Sequence, residues 1–405
     1  MRWKIIVWAL YSLCWPNSSL CANGMAGIRQ IEPDETTGSS KAVVVPDGPL
    51  AHTAQLLPLD KHGQIVGKDQ ATIQTARVVK NLSAALDEAQ SDLDHLVKLN
   101  VYVARQEAVP EVRRFLALDF RGRKKPAMSF VVGKLSHPEA LVAIDAVGVS
   151  RLDSGPAIKT FRSANLPETG CAHVAVLPEG TRIYVSGQAE KGRTPAEAAR
   201  LTLESLRATL QFLRQQEQDV VQVKAFLTPI SEVDAVRKEI ERFFDKTPVP
   251  PLVFVEWIAD LPIEIEVIAR GEKIRARNVV EFLTPPGLQP SPVFSRVARL
   301  QADRVIYVSG LYGEKAANAE AEVQEIFASL EELLKLAGSD LRHLAKATYY
   351  VATAEAGTKL DHLRPHYYDP MRPPAASKAL VPGVGRVGKN LTFDMIAVPK
   401  REGTK

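Results

Sequence analysis

Cysteine is scarce in this chain: three in 405 residues, at Cys14, Cys21 and Cys171. Two of them fall in an N-terminal stretch that reads as a leader. Only Cys171 is left to the mature chain, which excludes an internal disulfide even in a compartment that permits one. A lone Cys at the start of a strand behaves as a small buried hydrophobe. Charge of one sign is also lacking, because 51 Lys and Arg face 47 Asp and Glu for a net charge of +4. The single basic run, Arg121-Gly122-Arg123-Lys124-Lys125, precedes a strand and reads as a solvated loop. That balance speaks against a nucleic-acid partner. Long apolar runs are missing as well. Ile5 to Leu13 falls far short of the ~20 residues needed to span a bilayer. With Arg2 and Lys4 before it and Ser18-Ser19-Leu20-Cys21-Ala22 after it, the run predicts an export signal over residues 1–24, cleaved near Ala22. The mature protein is then expected in the periplasm or secreted, and off the membrane.

What is present is a folded, soluble composition, 45% apolar and 24% charged. It carries one pattern three times at a spacing of roughly 125 residues, too long for a solenoid unit. The landmarks are Pro126-Ala127-Met128-Ser129, Pro250-Pro251-Leu252-Val253 and Pro374-Ala375-Ala376-Ser377. An apolar strand with one embedded acid follows each: Asp145, Glu266 and Asp394. Domains are expected at 38–150, 158–275 and 288–400, after a flexible polar segment from Ile31 to Ser40. Linkers are expected near 151–157 and 275–292. In the second copy, Thr194, Pro195 and Glu197 supply a cap, a first-turn proline and a first-turn acid. Ala199, Leu203, Leu206, Leu210 and Leu213 then keep helical spacing. Strands are expected at 181–187, 220–227, 253–257 and 263–268, with a second helix over 231–244. The other copies repeat that order. Two helices cover one face of such a sheet, so its other apolar face needs a partner. Three sheets around a common axis would satisfy it.

The local words make the chain similar to the RidA family, also called YjgF. Tyr184-Val185-Ser186-Gly187-Gln188 and Tyr307-Val308-Ser309-Gly310 match its first-hairpin signature, and His52-Thr53-Ala54-Gln55 is a degraded version. Lys98 to Val103 and Lys346 to Val351 match its central strand, and Ile263 to Ala269 its last one. The resemblance implies an α+β, chorismate-mutase-like fold. It implies an intramolecular pseudotrimer in a monomeric chain, with sheets inside, helices outside and three clefts between copies. Active members hydrolyse reactive imines and enamines to 2-oxo acids and ammonia without metal or cofactor. An arginine in the Pro-Ala-Arg-Ser word grips the substrate carboxylate there, and an acid in the last strand serves the attacking water.

That arginine is absent three times: Met128, Leu252 and Ala376 stand in its place. A bidentate charge-assisted grip contributes about 1.5–3 kcal/mol per hydrogen bond, so the standard substrate should bind tens- to several-hundred-fold more weakly. The family's early aromatic becomes Ser39, Cys171 and Phe294, and only Phe294 keeps a ring. The acids persist, so Glu266, Asp394 and Asp145 are the candidate catalytic residues. They orient water, or else pair with a neighbouring Lys. Glu264 shares a face with Glu266, and paired carboxylates can raise one pKa. Lys378 lies on the same side as Ala376 and offers a replacement cation or a solvent-facing edge. Gly187, Gly310, Phe294, Lys378, Leu252, Met128 and Ala376 make up the candidate ligand-binding set.

Two signals are set aside. Gly383-Val384-Gly385-Arg386-Val387-Gly388 fits a dinucleotide pattern but lies between two strands, with no helix to receive a pyrophosphate. His362 and His366 lack a clear third ligand and flank Pro365, so no metal is expected. The reading is therefore an exported protein that binds a small metabolite between copies. The alternatives are a cofactor-free imine or enamine deaminase and an inactive scaffold.

Overall fold

The computed structural model describes residues 27–153, 155–272 and 279–401, so the expected leader lies outside the described residues. The first copy runs β1 (Arg29–Asp34), β2 (Ser39–Pro46), β3 (Leu50–Thr53), α1 (Ala71–Glu88), β4 (Leu96–Val103), α2 (Val109–Asp119), β5 (Ala127–Val132) and β6 (Val142–Val149). The second runs β7 (Lys159–Phe161), β8 (Val174–Leu177), β9 (Arg182–Gln188), α3 (Pro195–Phe212), β10 (Val220–Leu227), α4 (Val233–Phe243), β11 (Leu252–Glu256) and β12 (Ile263–Arg270). The third runs β13 (Val280–Leu283), β14 (Val297–Leu300), β15 (Arg304–Val308), α5 (Ala319–Leu336), β16 (Leu344–Val351), α6 (Ala354–Leu363), β17 (Ala375–Leu380) and β18 (Leu391–Ala397). Thr194 caps α3 by accepting from Glu197 N at 3.1 Å, as its sequence motif requires.

Within each copy the strand order is the same, β5-β4-β6-β3, β11-β10-β12-β9 and β17-β16-β18-β15. Helices cover one face, and each such layer has its own apolar core. The opposite faces share two further cores drawn from all three copies, one around Tyr184 and Tyr307 and one around Phe226 and Tyr350. Burial on both faces explains why β10 and β16 have no exposed residue.

Two expectations differ from the structure. Ile31 to Ser40 is no flexible segment: most of it lies in the antiparallel β1–β2 pair. The expected linker at 275–292 contains β13, paired with β14. Short half-polar strands look like linkers when the hairpin they belong to is anchored by a strand remote in sequence: β1 and β13 pair with the nearby β2 and β14, which are themselves held by β15 and β9. The leading strand of each copy pairs with another copy: β2 with β15, β8 with β3 and β14 with β9. At its start it also meets its own copy, through Ser40 N to Pro126 O (3.0 Å), Ala172 N to Val249 O (2.9 Å) and Ser295 N to Pro374 O (2.9 Å). Hydrogen-bonded edges therefore run from copy 1 to copy 2, from copy 2 to copy 3, and back to copy 1. We call these junctions the 1–2, 2–3 and 3–1 seams.

Candidate functional site

The three acids expected to be catalytic point inward, away from the seams. On the central strands, Lys98, Asn100 and Tyr102 alternate with residues that face the helices, as do Gln222, Lys224 and Phe226, and Lys346, Thr348 and Tyr350. Asp145, Glu266 and Asp394 lie opposite Asn100, Lys224 and Thr348 on the adjacent strands. Lysines cross between copies to meet them. Lys98 reaches Asp394 at 2.8 Å and Lys346 reaches Glu266 at 2.8 Å, while Lys224 stands 3.8 Å from Glu266. Burial alone would raise Glu266 and Asp394, but the neighbouring lysines outweigh it and hold both below the usual carboxylate range. Asp145 is different. Burial raises it, and its oxygens accept from Asn100 Nδ2 (2.8 Å) and Tyr102 Oη (2.7 Å). Glu266 and Asp394 are thus paired with lysines, the alternative to orienting water, whereas Asp145 is held by neutral donors.

The seams hold the remaining candidates, in three different states. At the 2–3 seam, Gly187 N donates to Ser377 Oγ (3.1 Å) and Ala376 N to Ser186 Oγ (2.8 Å). Glu264 lies against Gly187 so closely that a Cβ there would meet its Oε1 at 1.9 Å. That oxygen is buried without a hydrogen-bond partner. Burial, followed by the charge of Glu266, pushes the Glu264 carboxyl up to about 7. Phe294 sits at the same seam beneath the Arg296 guanidinium, 4.8 Å from its ring centre.

At the 3–1 seam, Gly310 N donates to Met128 O (2.9 Å) and Met128 N to Ser309 Oγ (2.7 Å). Thr392 stands where the 2–3 seam has Glu264. The cleft is closed by Arg113, which stacks on Phe130 at 3.7 Å and donates to Gly385 O at 3.2 Å. The loop once matched to a dinucleotide pattern forms the rim, with Val132 N donating to Gly383 O.

At the 1–2 seam, Gln55 takes the glycine position. Its N donates to Leu252 O (2.9 Å), and its side-chain amide donates to Phe254 O (2.9 Å) and accepts from Phe254 N (3.4 Å). Ala143 and Val253 replace the acid and serine of the 2–3 seam. Beside Gln55 lies a cavity of about 60 Å³, mostly apolar, lined among others by Leu252, Phe254, Cys171, His173 and Arg237. His173 is neutral: burial lowers its pKa, Nδ1 accepts from Ser163 N (3.0 Å) and Nε2 donates to Pro167 O (2.9 Å).

Arg237 was not anticipated from the sequence, yet a signal existed. Arg113, Arg237 and Asp361 are 124 residues apart, as are Phe130, Phe254 and Lys378. The structure pairs them as two cation–π stacks, with Arg237 5.3 Å from the Phe254 ring, and one ion pair, Lys378 to Asp361. Lys378 is thus engaged by α6. Arg237 is the member of this set that faces a cavity, and among the described residues it has no ion-pair partner.

Comparison with known proteins bears on this arrangement. The family model described as Endoribonuclease L-PSP matches residues 32–150 and 163–271, more than half of the chain. The chain belongs to the Endoribonuclease L-PSP family. No curated protein matches. Among solved structures, the Rid-family protein YyfB of Yersinia pestis is 26% identical over 30% of this chain and 98% of its own, with a TM-score of 0.29. A YjgF-family protein of Neisseria meningitidis is 18% identical over 30% and 95%, with a TM-score of 0.23. TdcF of E. coli, with bound serine, is 23% identical over 24% and 85%, with a TM-score of 0.22. Within this Endoribonuclease L-PSP chain, the described residues contain no group of three or more His, Cys, Asp or Glu able to hold a metal, and no helix long and apolar enough to cross a membrane.

Proposed function

We propose that this protein is an exported, single-chain counterpart of a homotrimer that binds a small apolar carboxylate at its 1–2 seam. One observation carries the reading: the Arg237 guanidinium faces a mostly apolar cavity and has no carboxylate of its own among the described residues. Apolar walls favour a hydrocarbon body, and a guanidinium offers the bidentate geometry that a carboxylate fits. Arg237 would supply from a helix the charge missing at Leu252. With Ala143 where the 2–3 seam has Glu264, this seam has no counterpart of that acid, so binding without turnover is expected there. Calorimetry with short branched and aromatic carboxylates, each paired with its amide, tests the reading. Carboxylates should bind and amides should not, and Arg237→Ala should weaken binding about 10- to 100-fold. Equal binding of acid and amide, or an unaffected R237A, would sink it.

A second reading rests on Glu264. A carboxyl near neutrality beside Gly187 and Ser377 can exchange a proton with a substrate or water. The deaminase alternative therefore belongs to the 2–3 seam, with Glu264 in the role first given to Glu266. Ammonia release from freshly generated 2-iminobutanoate, lost in Glu264→Gln, would support it. No release above the buffer rate would rule it out.

A further inference from the structure

The inward lysines follow a cyclic rule with one irregular member. Copy 1 sends Lys98 to the acid of copy 3, and copy 3 sends Lys346 to the acid of copy 2. Copy 2 should send a lysine to Asp145 of copy 1. It has Gln222 at the matching position, and its lysine lies two residues further along the strand, at Lys224. Displaced in this way, the Lys224 amine has, among the described residues, no carboxylate closer than Glu266 at 3.8 Å, too long for a hydrogen bond.

A chamber of about 40 Å³ opens at this point, lined by residues of all three copies that include Lys224, Asp145, Asn100, His52 and Tyr307. Three polar atoms on it are buried without a protein partner: both ring nitrogens of His52 and Oδ1 of Asn100. His52 occupies the position of Tyr184 and Tyr307 in the other copies, facing Val147 as they face Ile268 and Ile396. An imidazole is shorter than a phenol, which leaves room on the axis.

We propose that this chamber is a binding site for one or two ordered water molecules that bridge Lys224 to Asp145 and complete the third lysine–acid contact. The volume suits that occupant, since a water needs roughly 10–15 Å³ of such space and two to four polar partners. Charge argues against an ion: three lysines and three carboxylates line the chamber in balance. The chemistry also fits. The Lys224 ammonium and one imidazole nitrogen can donate, the Asn100 carbonyl and the other imidazole nitrogen can accept, and water serves both kinds. Burial holds His52 neutral, with its pKa lowered to about 3, so it adds no positive charge that would call for an anion.

A high-resolution crystal structure of the full chain grown in sodium bromide tests this. Ordered oxygen density within about 3 Å of Lys224 Nζ, with no anomalous bromine signal, is the expected result. A featureless chamber would overturn the proposal, and so would an anomalous peak in it, which would make it an anion site. Lys224→Met provides the control. The bridging water should be lost, and persistence of the same density would show that Lys224 does not organise it. Should that variant fail to fold, the wild-type crystal alone decides.

Discussion

The 1–2 and 2–3 seams are built from corresponding positions and have diverged in opposite directions. The 2–3 seam keeps a glycine, an acid and a serine, at Gly187, Glu264 and Ser377. The 1–2 seam has Gln55, Ala143 and Val253 there, and holds a mostly apolar cavity lined by Arg237. On the readings proposed above, the 2–3 seam offers a carboxyl that exchanges protons and the 1–2 seam a guanidinium that holds an anion. Identical subunits could not do this, because a substitution in one would appear at every interface. Within a single chain each junction can change alone.

The largest effect should come from breaking the interior contacts beneath the 2–3 seam. Lys346→Met removes the close partner of Glu266 and leaves a buried carboxylate facing Lys224 at 3.8 Å. Breaking a buried pair in this way costs about 3–5 kcal/mol, readable by urea denaturation. The double variant with Glu266→Leu should recover most of that loss. Failure to recover would mean that the lysine supports the seam through something other than this pair. Next comes Gly187→Ala, which must displace Glu264 from a contact of 1.9 Å. We expect a loss of about 1–3 kcal/mol, typical of overpacking, together with loss of any 2–3 seam activity. The 1–2 seam already carries a long side chain at this position, so its carboxylate binding should be unchanged.

How much of this was legible in the sequence depends on whether the partner was local. The central strand Val220–Leu227 is legible to the residue, because its apolar run is bounded by clear breaks. The cap at Thr194 was equally plain. The leading hairpins were not, since short half-polar strands gain their meaning from an edge supplied by another copy. The site shows the same divide. Loss of the strand arginine could be read from three landmark words. That Glu264 faces a cleft while Glu266 faces the axis could not. They share a strand face, and only their neighbours' shapes separate them. Arg237 was recoverable from the 124-residue register it shares with Arg113 and Asp361.

A pH titration would sharpen the contrast. Glu264 binds its proton more tightly in the folded chain, up to about 7 against an ordinary 4.5. Between those values the folded state holds a proton that the unfolded chain has released, so stability falls as pH rises and levels off above 7. The full shift would correspond to about 3 kcal/mol, but the side chain is half-buried, and solvent screening reduces the expected fall to about 1–2 kcal/mol. Subtracting the profile of Glu264→Gln from that of the wild type isolates this group. A difference that stays flat from pH 4.5 to 7 would place Glu264 in a more solvated setting. Carboxylate binding at the 1–2 seam should instead be flat from about pH 6 to 7, where an ordinary carboxylic acid is already ionised and a guanidinium is charged, and where Ala143 has no charge to lose.

The smallest change tests why the 1–2 seam tolerates a long side chain where its counterparts need glycine. Gln55 is held by two hydrogen bonds to the Phe254 backbone, one of them long at 3.4 Å. They contribute about 1 kcal/mol in total. Gln55→Ala should cost about that much, and less if water replaces the amide, because the site is only half-buried. The same change enlarges the cavity, which Gln55 lines together with Arg237. A longer carboxylate should therefore bind Gln55→Ala more tightly than the wild type, while the shortest ones lose contact and bind more weakly. If affinity falls for every length, Gln55 is itself a ligand contact and the cavity is set by hydrogen bonding. A crossover with chain length would instead show that Gln55 acts as a plug, setting how deep the seam is without taking part in recognition.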